Sequence, residues 1–569
     1  MIIINGKTEY VPDVYGVIKV TNLGSVNLPN FNLGLLIGKQ LHGIPFNAGS
    51  PENGSTLIKG YSNVQALMKD YGGYGELITG FRRAKKSGAG IVFVLGANPL
   101  TRALATLPDS NAAGSVVLHP KAWGVSGNDI SIAIVLLSTV TTITMTPPKN
   151  VKMLTADSGT GTSIKVDDVS GLAVGDTVYL TDNVYAVPVA KVIKEIVALT
   201  SGYQITFTEV IAASAVIASW AHIFQEDTAN QAVKSFSADD YTLTNTLAWI
   251  SQQEFISATI ATSALLPPNV IAKTYLGLIS AATKGTSPIA TETLAGTWDT
   301  IIDAVPQLME EFALANKLRI RIVCPLTSNS GSHAGFSDMA VSLRENGSAI
   351  KVIVGSADGD IDLESNSAHP KKRAYALNSD DVIFAGDGHD DLAAYLSHAP
   401  EILGFMVANS PNHNLTRDTF NISRTEKFFG KNNKDEVAGY LRSGVMITGT
   451  SPKGFHVVQG INTYQDQNQI WNDATAKTYL IFNRHMADFV NAGIIEQLDT
   501  LVGADNVTIE SAGRIATAIL ENYMTNGFIP NYRVVSVTKR SNSYLVKVNI
   551  DQPDVVDFVG SELNIIVPE

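Results

Sequence analysis

The sequence lacks the motifs by which many enzymes are recognised. Its 569 residues contain one cysteine, Cys324, so no intramolecular disulfide can form. No GxxxxGK[ST] phosphate loop, HExxH zinc motif, CxxC pair or GxSxG nucleophile elbow is present. The sequence therefore predicts a protein that is not an enzyme, with no catalytic residue, no cofactor and no metal site.

Positive charge and long apolar runs are also scarce. The chain has 41 Lys and Arg against 53 Asp and Glu, a formal net charge of −12, whereas a nucleic-acid binder needs a basic surface. The most apolar stretch, residues 130–145, is rich in serine and threonine, and a membrane span needs about 20 apolar residues. Met1 is followed by isoleucines, without the basic segment of a secretory signal. We expect a soluble protein with no membrane insertion and no nucleic-acid partner.

What the sequence does have is β-strand character at both ends. Chain ends are usually polar and frayed unless something holds them, and a strand leaves backbone N–H and C=O groups open to another chain. Residues 7–12 read as a polar connection after the first strand. The two ends therefore predict strands that pair with neighbouring subunits, through Ile2, Ile3, Ile4, Val17, Ile18, Val20, Leu563, Ile565, Ile566 and Val567.

Composition divides the chain into five predicted parts. Residues 1–22 form an N-terminal β-strand arm, and residues 23–110 begin a mixed α/β core. Residues 111–235, rich in Val, Ile and Thr with Gly and Asp turns, form an inserted all-β outer domain, a small sandwich or barrel. Residues 236–550 complete the core, and residues 551–569 form a C-terminal arm. The predicted fold class is a multidomain α+β or α/β protein.

Hydrophobic periodicity places the main elements. Helices are predicted over residues 61–71, 77–86, 243–253, 298–315, 474–492 and 511–526. Strands are predicted over residues 33–38, 91–95, 163–166, 177–180, 189–196, 203–207, 318–324, 350–354, 532–538 and 544–550.

Three features could carry chemistry, and each has a simpler structural interpretation. Cys324 ends a predicted strand, where a cysteine is more often buried than nucleophilic. Residues 358–362 resemble a calcium loop but lack its later Gly and Glu, which favours a solvated acidic turn. Residues 387–391, with His398 nearby, have metal-ligand types but match no zinc spacing, and their aspartates suit a helix N-terminus.

One basic cluster interrupts the otherwise acidic sequence. Acidic residues are interleaved with it, so a solvated mixed-charge surface is the simpler interpretation, and docking to an acidic partner is the functional one. By contrast, no Lys or Arg follows Lys547. The acidic tail would favour a neighbour that presents basic groups. The basic residues that could contact a partner include Arg417, Arg424, Lys427, Lys431 and Lys434.

Several segments together resemble contractile phage tail sheath proteins. The resemblance lies in their order along most of the chain, and it is weakest in the β-rich module at residues 155–207. The segments are Tyr15-Gly16-Val17-Ile18-Lys19-Val20-Thr21-Asn22, Leu28-Pro29-Asn30-Phe31, Leu35-Leu36-Ile37-Gly38, Ala122-Trp123-Gly124-Val125-Ser126-Gly127-Asn128-Asp129-Ile130 and Gly460-Ile461-Asn462-Thr463-Tyr464, followed by the helix after Trp471 and the closing β-hairpin.

The resemblance implies a structural subunit that polymerises around a tail tube. Both terminal arms would pair with sheets of adjacent subunits and link hexameric rings into a helical homo-oligomer. The core, including the basic cluster, would contact the tube, and baseplate and terminator proteins would be further partners. The sheath would contract from a metastable extended state without ATP and drive the tube through the host envelope. Its location would be the virion, after assembly in the host cytoplasm.

Two other classes remain open at this point. One is a different β-rich virion or surface structural protein, which would form particles or fibres without a contractile tube. The other is an α/β hydrolase-like enzyme using Cys324 or the residues near His389. Activity or tight metal binding that is lost with Cys324→Ala or His389→Ala would identify the enzyme.

Overall fold

A computed structural model gives the arrangement of most of the chain. The residues that it describes are 2–4, 7–9, 33–40, 42–43, 45–46, 57–72, 76–97, 100–109, 111, 113–121, 123–154, 161–166, 169–181, 187–199, 203–211, 222–262, 265–268, 270–279, 282, 295–346, 348–356, 367, 369–386, 397–411, 413–416, 418, 434–451, 454–465, 480–498, 508–540 and 543–551.

Strands and helices both occur along the whole described chain. The strands are β1 (Ile2–Ile4), β2 (Lys7–Glu9), β3 (Gly34–Gly38), β4 (His42–Gly43), β5 (Lys59–Tyr61), β6 (Val92–Gly96), β7 (Ala105–Pro108), β8 (Gly114–Pro120), β9 (Trp123–Gly124), β10 (Ser131–Leu137), β11 (Val140–Thr146), β12 (Pro148–Met153), β13 (Gly161–Val166), β14 (Thr177–Thr181), β15 (Val189–Ala198), β16 (Tyr203–Ile211), β17 (His222–Glu226), β18 (Ala232–Ser237), β19 (Ile256–Ile260), β20 (Ile271–Tyr275), β21 (Ile322–Pro325), β22 (Lys351–Gly355), β23 (Val382–Ala385), β24 (Val445–Met446), β25 (Thr448–Ser451), β26 (Gly454–Val457), β27 (Asn531–Arg540) and β28 (Ser543–Asp551). The helices are α1 (Val64–Tyr71), α2 (Glu76–Lys86), α3 (Leu243–Ser251), α4 (Ala295–Asn316), α5 (Ser330–Glu345), α6 (Pro370–Leu377), α7 (Ala399–Ala408), α8 (Lys434–Arg442), α9 (Ile481–Leu498) and α10 (Ile509–Thr525).

A seven-stranded sheet forms the centre of the α/β part, in the order β24-β23-β22-β21-β3-β6-β5. Its neighbouring strands are parallel except for the edge strand β5, which runs antiparallel to β6. Parallel sheets are covered on both faces, so their strands are apolar at successive positions. Leu35, Leu36 and Ile37 of β3 are all fully buried, which explains why this strand reads as an unbroken apolar run.

Helices cover both faces of this sheet. Leu35, Ile37 and Val323 point into one core, which α4, α5, α6 and α8 close. Leu36 and Cys324 point into the other core, which α1, α2 and α7 close. This alternation follows from the period of two residues along a strand. The mixed α/β content predicted from the sequence is therefore confirmed.

The β-rich part contains two packed sheets and a six-stranded barrel. The four-stranded sheet β18-β11-β10-β20 shares an apolar core with the three-stranded sheet β19-β8-β7 and with α3. The six-stranded sheet runs β12-β17-β14-β15-β16-β13, and a bridge between Leu154 and Val166 joins its first and last strands. Closure removes both edges of this sheet. Ile164, Val178 and Phe207 fill its interior.

Strand pairing in the β-rich part continues past residue 235. The predicted boundary at residues 235 and 236 falls inside β18. Farther along the chain, β19 pairs with β8 and β20 pairs with β10. The division of the chain into domains stays a prediction.

In the described part of the chain, three elements start later than predicted, and local capping explains the first. The first helix begins at Val64 rather than at Tyr61, because the Asn63 side chain accepts a hydrogen bond from Ala66 N at 2.8 Å and caps the helix there. The predicted strand over residues 318–324 is shorter in the structure and starts at Ile322, soon after Lys317, whose φ is 57°. The predicted helix over residues 474–492 begins, in the described part, at Ile481.

The last described elements form a unit with its own core. Helices α9 and α10 pack against one another and against the hairpin β27–β28. Phe489 of α9 and Tyr523 of α10 have ring centroids 4.9 Å apart, and Phe528 packs against both. We call α9, α10, β27 and β28 the C-terminal unit.

Candidate assembly interface

The hairpin β27–β28 forms the sheet of the C-terminal unit. Its strands pair antiparallel from Asn531 with Asp551 to Arg540 with Ser543, and the register shifts once, between Val534 and Ser536. Such a bulge increases the local twist of the strand. The sequence predicted both strands, and the structure confirms them.

One face of the hairpin packs on the two helices. Tyr532, Val548 and Ile550 are half-buried against the core of the C-terminal unit. Val537 lies over Gly513 of α10, where an added Cβ would approach its Cγ2 to 3.3 Å. The glycine thus allows the strand to lie close to the helix.

The other face of the hairpin is exposed, and its outer edges have no partner strand within the described part of the chain. Arg533, Thr538 and Lys547 are exposed. Among the described residues, β27 and β28 pair only with one another. Each strand therefore carries a row of N–H and C=O groups that a third or a fourth strand could use.

The hairpin is basic in a chain that is acidic overall. Between residues 531 and 551 the sequence contains Arg533, Lys539, Arg540 and Lys547, and Asp551 is its one acidic residue. Residues 552–569 carry Asp554, Asp557, Glu562 and Glu569 and no Lys or Arg. The two segments have complementary charge.

The predicted N-terminal strand is present, and it has a partner within its own chain. Ile2, Ile3 and Ile4 pair antiparallel with Glu9, Thr8 and Lys7. The prediction of residues 7–12 as a connection is wrong for Lys7–Glu9, which forms β2. The missed signal is Asn5-Gly6 between the two strands, because Asn-Gly is the strongest short hairpin pattern.

Most of the other predicted contact residues lie outside the described residues. They are Val17, Ile18, Val20, Leu563, Ile565, Ile566 and Val567 of the arms, and Arg417, Arg424, Lys427 and Lys431 of the basic cluster. Lys434 is described as the first residue of α8. Asp435 and Glu436 follow it in the first helical turn, where acidic side chains complement the helix dipole.

Cys324 lies at the centre of the α/β core. It is fully buried on the face of the sheet that α2 and α7 cover. Burial raises the pKa of its thiol, and the nearby Glu401 carboxylate adds to this effect while Arg83 opposes it. The thiolate that a nucleophilic cysteine needs is therefore strongly disfavoured.

We expect the Cys324 thiol to resist modification in the native protein at mildly alkaline pH. A raised pKa keeps the thiol protonated there, and burial blocks the reagent. Titration with a disulfide reagent should detect one thiol per chain only after guanidinium unfolding. Thr538→Cys, on the exposed hairpin face, is the positive control and should react at once. Rapid reaction of the unmodified native chain would contradict this placement.

Of the remaining candidate metal ligands from the sequence, His398 lies in the described part of the chain. Residues 358–362 and 387–391 lie outside the described residues. His398 precedes α7 and is buried, with Nδ1 3.9 Å from Glu401 Oε1. The described residues contain no group of three His, Cys, Asp or Glu side chains placed to hold a metal ion.

None of the described helices is long and apolar enough to cross a membrane.

Comparison with known proteins gives a match at the level of structure. No protein-family model and no curated protein matches the sequence. Among solved structures, the sheath tail protein of Listeria innocua is similar over 95% of this chain and 96% of that chain, with 14% identity and a TM-score of 0.53. The sheath tail protein of Desulfitobacterium hafniense is similar over 97% of this chain and 100% of that chain, with 13% identity and a TM-score of 0.49. The likeness to the Listeria protein shows that this chain has the fold of a sheath tail protein.

Proposed function

From the fold that it shares with a sheath tail protein, we propose that this chain is the structural subunit of a contractile phage tail sheath. It polymerises around a tail tube in an extended, metastable state and contracts to drive the tube through the host envelope. The observation that carries the proposal is the hairpin β27–β28, whose strands pair only with one another among the described residues, in a chain with two strand-like ends. The non-enzymatic role agrees with the buried thiol of Cys324.

In this proposal each arm adds a strand to the hairpin of another copy. Main-chain pairing suits such a link because any apolar strand can supply the hydrogen bonds, while the connecting residues bend as subunits rotate. The N-terminal arm uses Ile2, Ile3, Ile4, Val17, Ile18 and Val20. The C-terminal arm uses Leu563, Ile565, Ile566 and Val567. To add a strand to the hairpin of another copy, β1 pairs through its edge that faces away from β2, or it separates from β2.

Charge gives the two arms different affinities for the hairpin. Residues 1–22 carry two basic and two acidic side chains, whereas residues 552–569 carry four acidic ones. Opposite charges on neighbouring strands favour pairing by about 0.2–1 kcal/mol each. The basic hairpin therefore favours the acidic C-terminal arm.

Arg533→Glu should weaken assembly without unfolding the chain. Arg533 is exposed on β27, so reversal of its charge removes an attraction for the acidic arm and adds a repulsion. We expect the protein concentration needed for polymerisation to rise about fivefold at low salt and the difference to shrink at high salt. Arg514→Glu makes the same charge change on α10 and should have little effect. Equal effects of the two variants at all salt concentrations would contradict the charge argument.

Further contacts complete the proposed assembly. Arg417, Arg424, Lys427, Lys431 and Lys434 supply polar contacts to the tail tube that are weak enough to be released on contraction. Hexameric rings stack into a helix between a baseplate and a tail terminator protein. The free energy of contraction is stored at assembly, as in other switches between two packings of the same surfaces. The virion is the location of the assembled protein, which forms in the host cytoplasm.

Electron microscopy of the purified full-length protein tests this proposal. Tubes built from stacked rings are the expected result. Fibres without a lumen would indicate another β-rich structural protein. A monodisperse monomer at high concentration, with hydrolytic activity, would support the enzyme instead. Either of the last two results would overturn the sheath function.

A further inference from the structure

A buried cluster of charged side chains lies where the C-terminal unit meets the central sheet. Lys351 is the first residue of β22, and Asp381 directly precedes β23, so both lie at the amino ends of neighbouring parallel strands. Lys351 is 2% exposed and Asp381 is fully buried. Charged groups are seldom buried to this extent unless they are paired.

Lys351 connects the sheet to helix α9. Its Nζ donates a hydrogen bond to Asp381 Oδ1 at 2.6 Å and lies 2.6 Å from Oδ2 of Asp488 on α9. It also donates to the carbonyl oxygen of Asp380 at 3.4 Å. The ammonium group thus donates two hydrogen bonds on the sheet side, and its ion pair with Asp488 reaches the C-terminal unit.

Two arginines surround this centre. Arg344 of α5 reaches Asp380 Oδ1 at 2.5 Å and Asp381 Oδ2 at 2.8 Å. Arg484 of α9 reaches Asp488 Oδ1 at 2.8 Å and Asp380 Oδ2 at 3.3 Å. Three cations therefore face three carboxylates, and the contacts cross between the sheet, α5 and α9.

Two further ionisable side chains adjoin this centre: one is neutral, and the other, Arg321, is a fourth buried cation that interacts with the carboxylates of Asp488 and Glu496. His485 of α9 is buried, and burial together with Lys351 lowers its pKa to about 3, so it is neutral. Arg321, at the amino end of β21, donates to the carbonyl oxygen of Ala349 at 3.2 Å. Burial raises the pKa of Asp381, while Lys351 acts in the opposite direction.

Apolar side chains at the start of α9 pack across this boundary. Leu480 and Ile481 belong to the core under the central sheet, and Ile481 N donates to Gly460 O at 3.1 Å. From Met486 onward, the apolar side chains of α9 belong to the separate core of the C-terminal unit. Farther along α9, Arg484 and Asp488 make ionic contacts with the starts of β22 and β23.

Buried ion pairs add little net stability, because desolvation offsets their attraction, but they tolerate few alternative geometries. We propose that one cluster, which we call the ionic joint, sets the orientation of the C-terminal unit, and hence of the hairpin β27–β28, on the central sheet. The ionic joint consists of Lys351, Arg344, Arg484, Asp380, Asp381 and Asp488. Its consequence for assembly rests on the proposed function: the joint transmits force between the arms held at the hairpin and the α/β core.

The test measures orientation separately from stability, with the full chain kept dilute so that it does not polymerise. Spin labels on Asp303→Cys in α4 and Thr538→Cys on the hairpin report one distance between the sheet and the C-terminal unit. Both positions are exposed, and the buried Cys324 stays unlabelled. The parent chain should give one narrow distance distribution by pulsed electron paramagnetic resonance.

Two variants then distinguish an effect on the orientation of the C-terminal unit from an effect on the stability of the chain. Lys351→Met leaves two buried carboxylates without their shared cation, so its urea midpoint should fall. Lys351→Met/Asp488→Leu removes one charge of each sign, so its midpoint should recover while the distance distribution broadens about twofold. Lys273→Met removes an exposed ammonium group 2.6 Å from Glu226 Oε1, far along the chain from α9. It is the matched control and should change neither quantity. An unchanged, narrow distribution in the double variant would overturn the proposal.

The failure of the joint and the failure of the sheath function can be told apart. If the double variant broadens the distribution but the parent chain forms no tubes at high concentration, the joint stands and the sheath function fails. If the parent forms tubes and the double variant keeps a narrow distribution, the joint fails and the sheath function stands.

Discussion

Deletion of residues 557–569 is expected to abolish tube formation at concentrations where the full-length chain polymerises. The deleted segment contains Leu563, Ile565, Ile566 and Val567, the proposed donated strand. Loss of one of two simultaneous links between copies should raise the required concentration about 100-fold or more. Sedimentation velocity and electron microscopy give the measurement. Because the proposed strand pairs with another copy, the unfolding transition of the dilute chain should stay unchanged.

A point variant separates strand pairing from tail length. Ile566→Pro keeps every residue of the arm but removes a backbone N–H and resists extension of a ladder, so it should behave like the deletion. Ile566→Val keeps β propensity and should assemble like the parent. If the truncated chain forms tubes at the parent's concentration, the C-terminal arm does not link the subunits.

Gly404→Ala is expected to give a large loss of stability. Gly404 lies on α7, and a Cβ there would be 2.1 Å from the carbonyl oxygen of Ala84 on α2. The obstacle is backbone, so the two helices must separate where they cover the central sheet. We expect a loss of about 3 kcal/mol, at the upper end for overpacking, measured by urea unfolding.

Gly439→Ala is the matched control, because it makes the same change inside another helix. On α8 the nearest atom to an added Cβ is Nζ of Lys371, at 3.6 Å. With space available, alanine should stabilise the helix by up to about 1 kcal/mol. If Gly404→Ala were tolerated as well as Gly439→Ala, α2 and α7 could not be in close contact at this point.

The sequence predicted the central sheet well because local pattern and burial agree there. Residues 33–38 read as buried, and Gly34–Gly38 is a central parallel strand. The long helix predicted from its apolar spacing over residues 298–315 is observed as Ala295–Asn316. Its buried residues Ile301, Val305, Leu308 and Phe312 follow one another at intervals of four, three and four residues, the spacing of an amphipathic helix.

Long-range pairing could not be predicted in the same way. Nothing in the local pattern shows that Leu154 pairs with Val166 and closes the six-stranded sheet. Lys351 and Asp488 each look like ordinary polar residues in sequence, and their 2.6 Å contact depends on how α9 docks on the sheet. The pairing of the hairpin is a further case, because the sequence predicts its strands but not that, among the described residues, they pair only with one another.

In the proposed assembly, arms from other copies complete the sheet that β27 and β28 begin. A cryo-electron microscopy map of tubes of the full-length protein, at a resolution that traces the main chain, tests it most directly. We expect β27 and β28 to lie in a four-stranded sheet, with one strand from the N-terminal arm of another copy and one from a C-terminal arm. Tubes in which this sheet keeps two strands, with both arms folded on their own subunit, would contradict it.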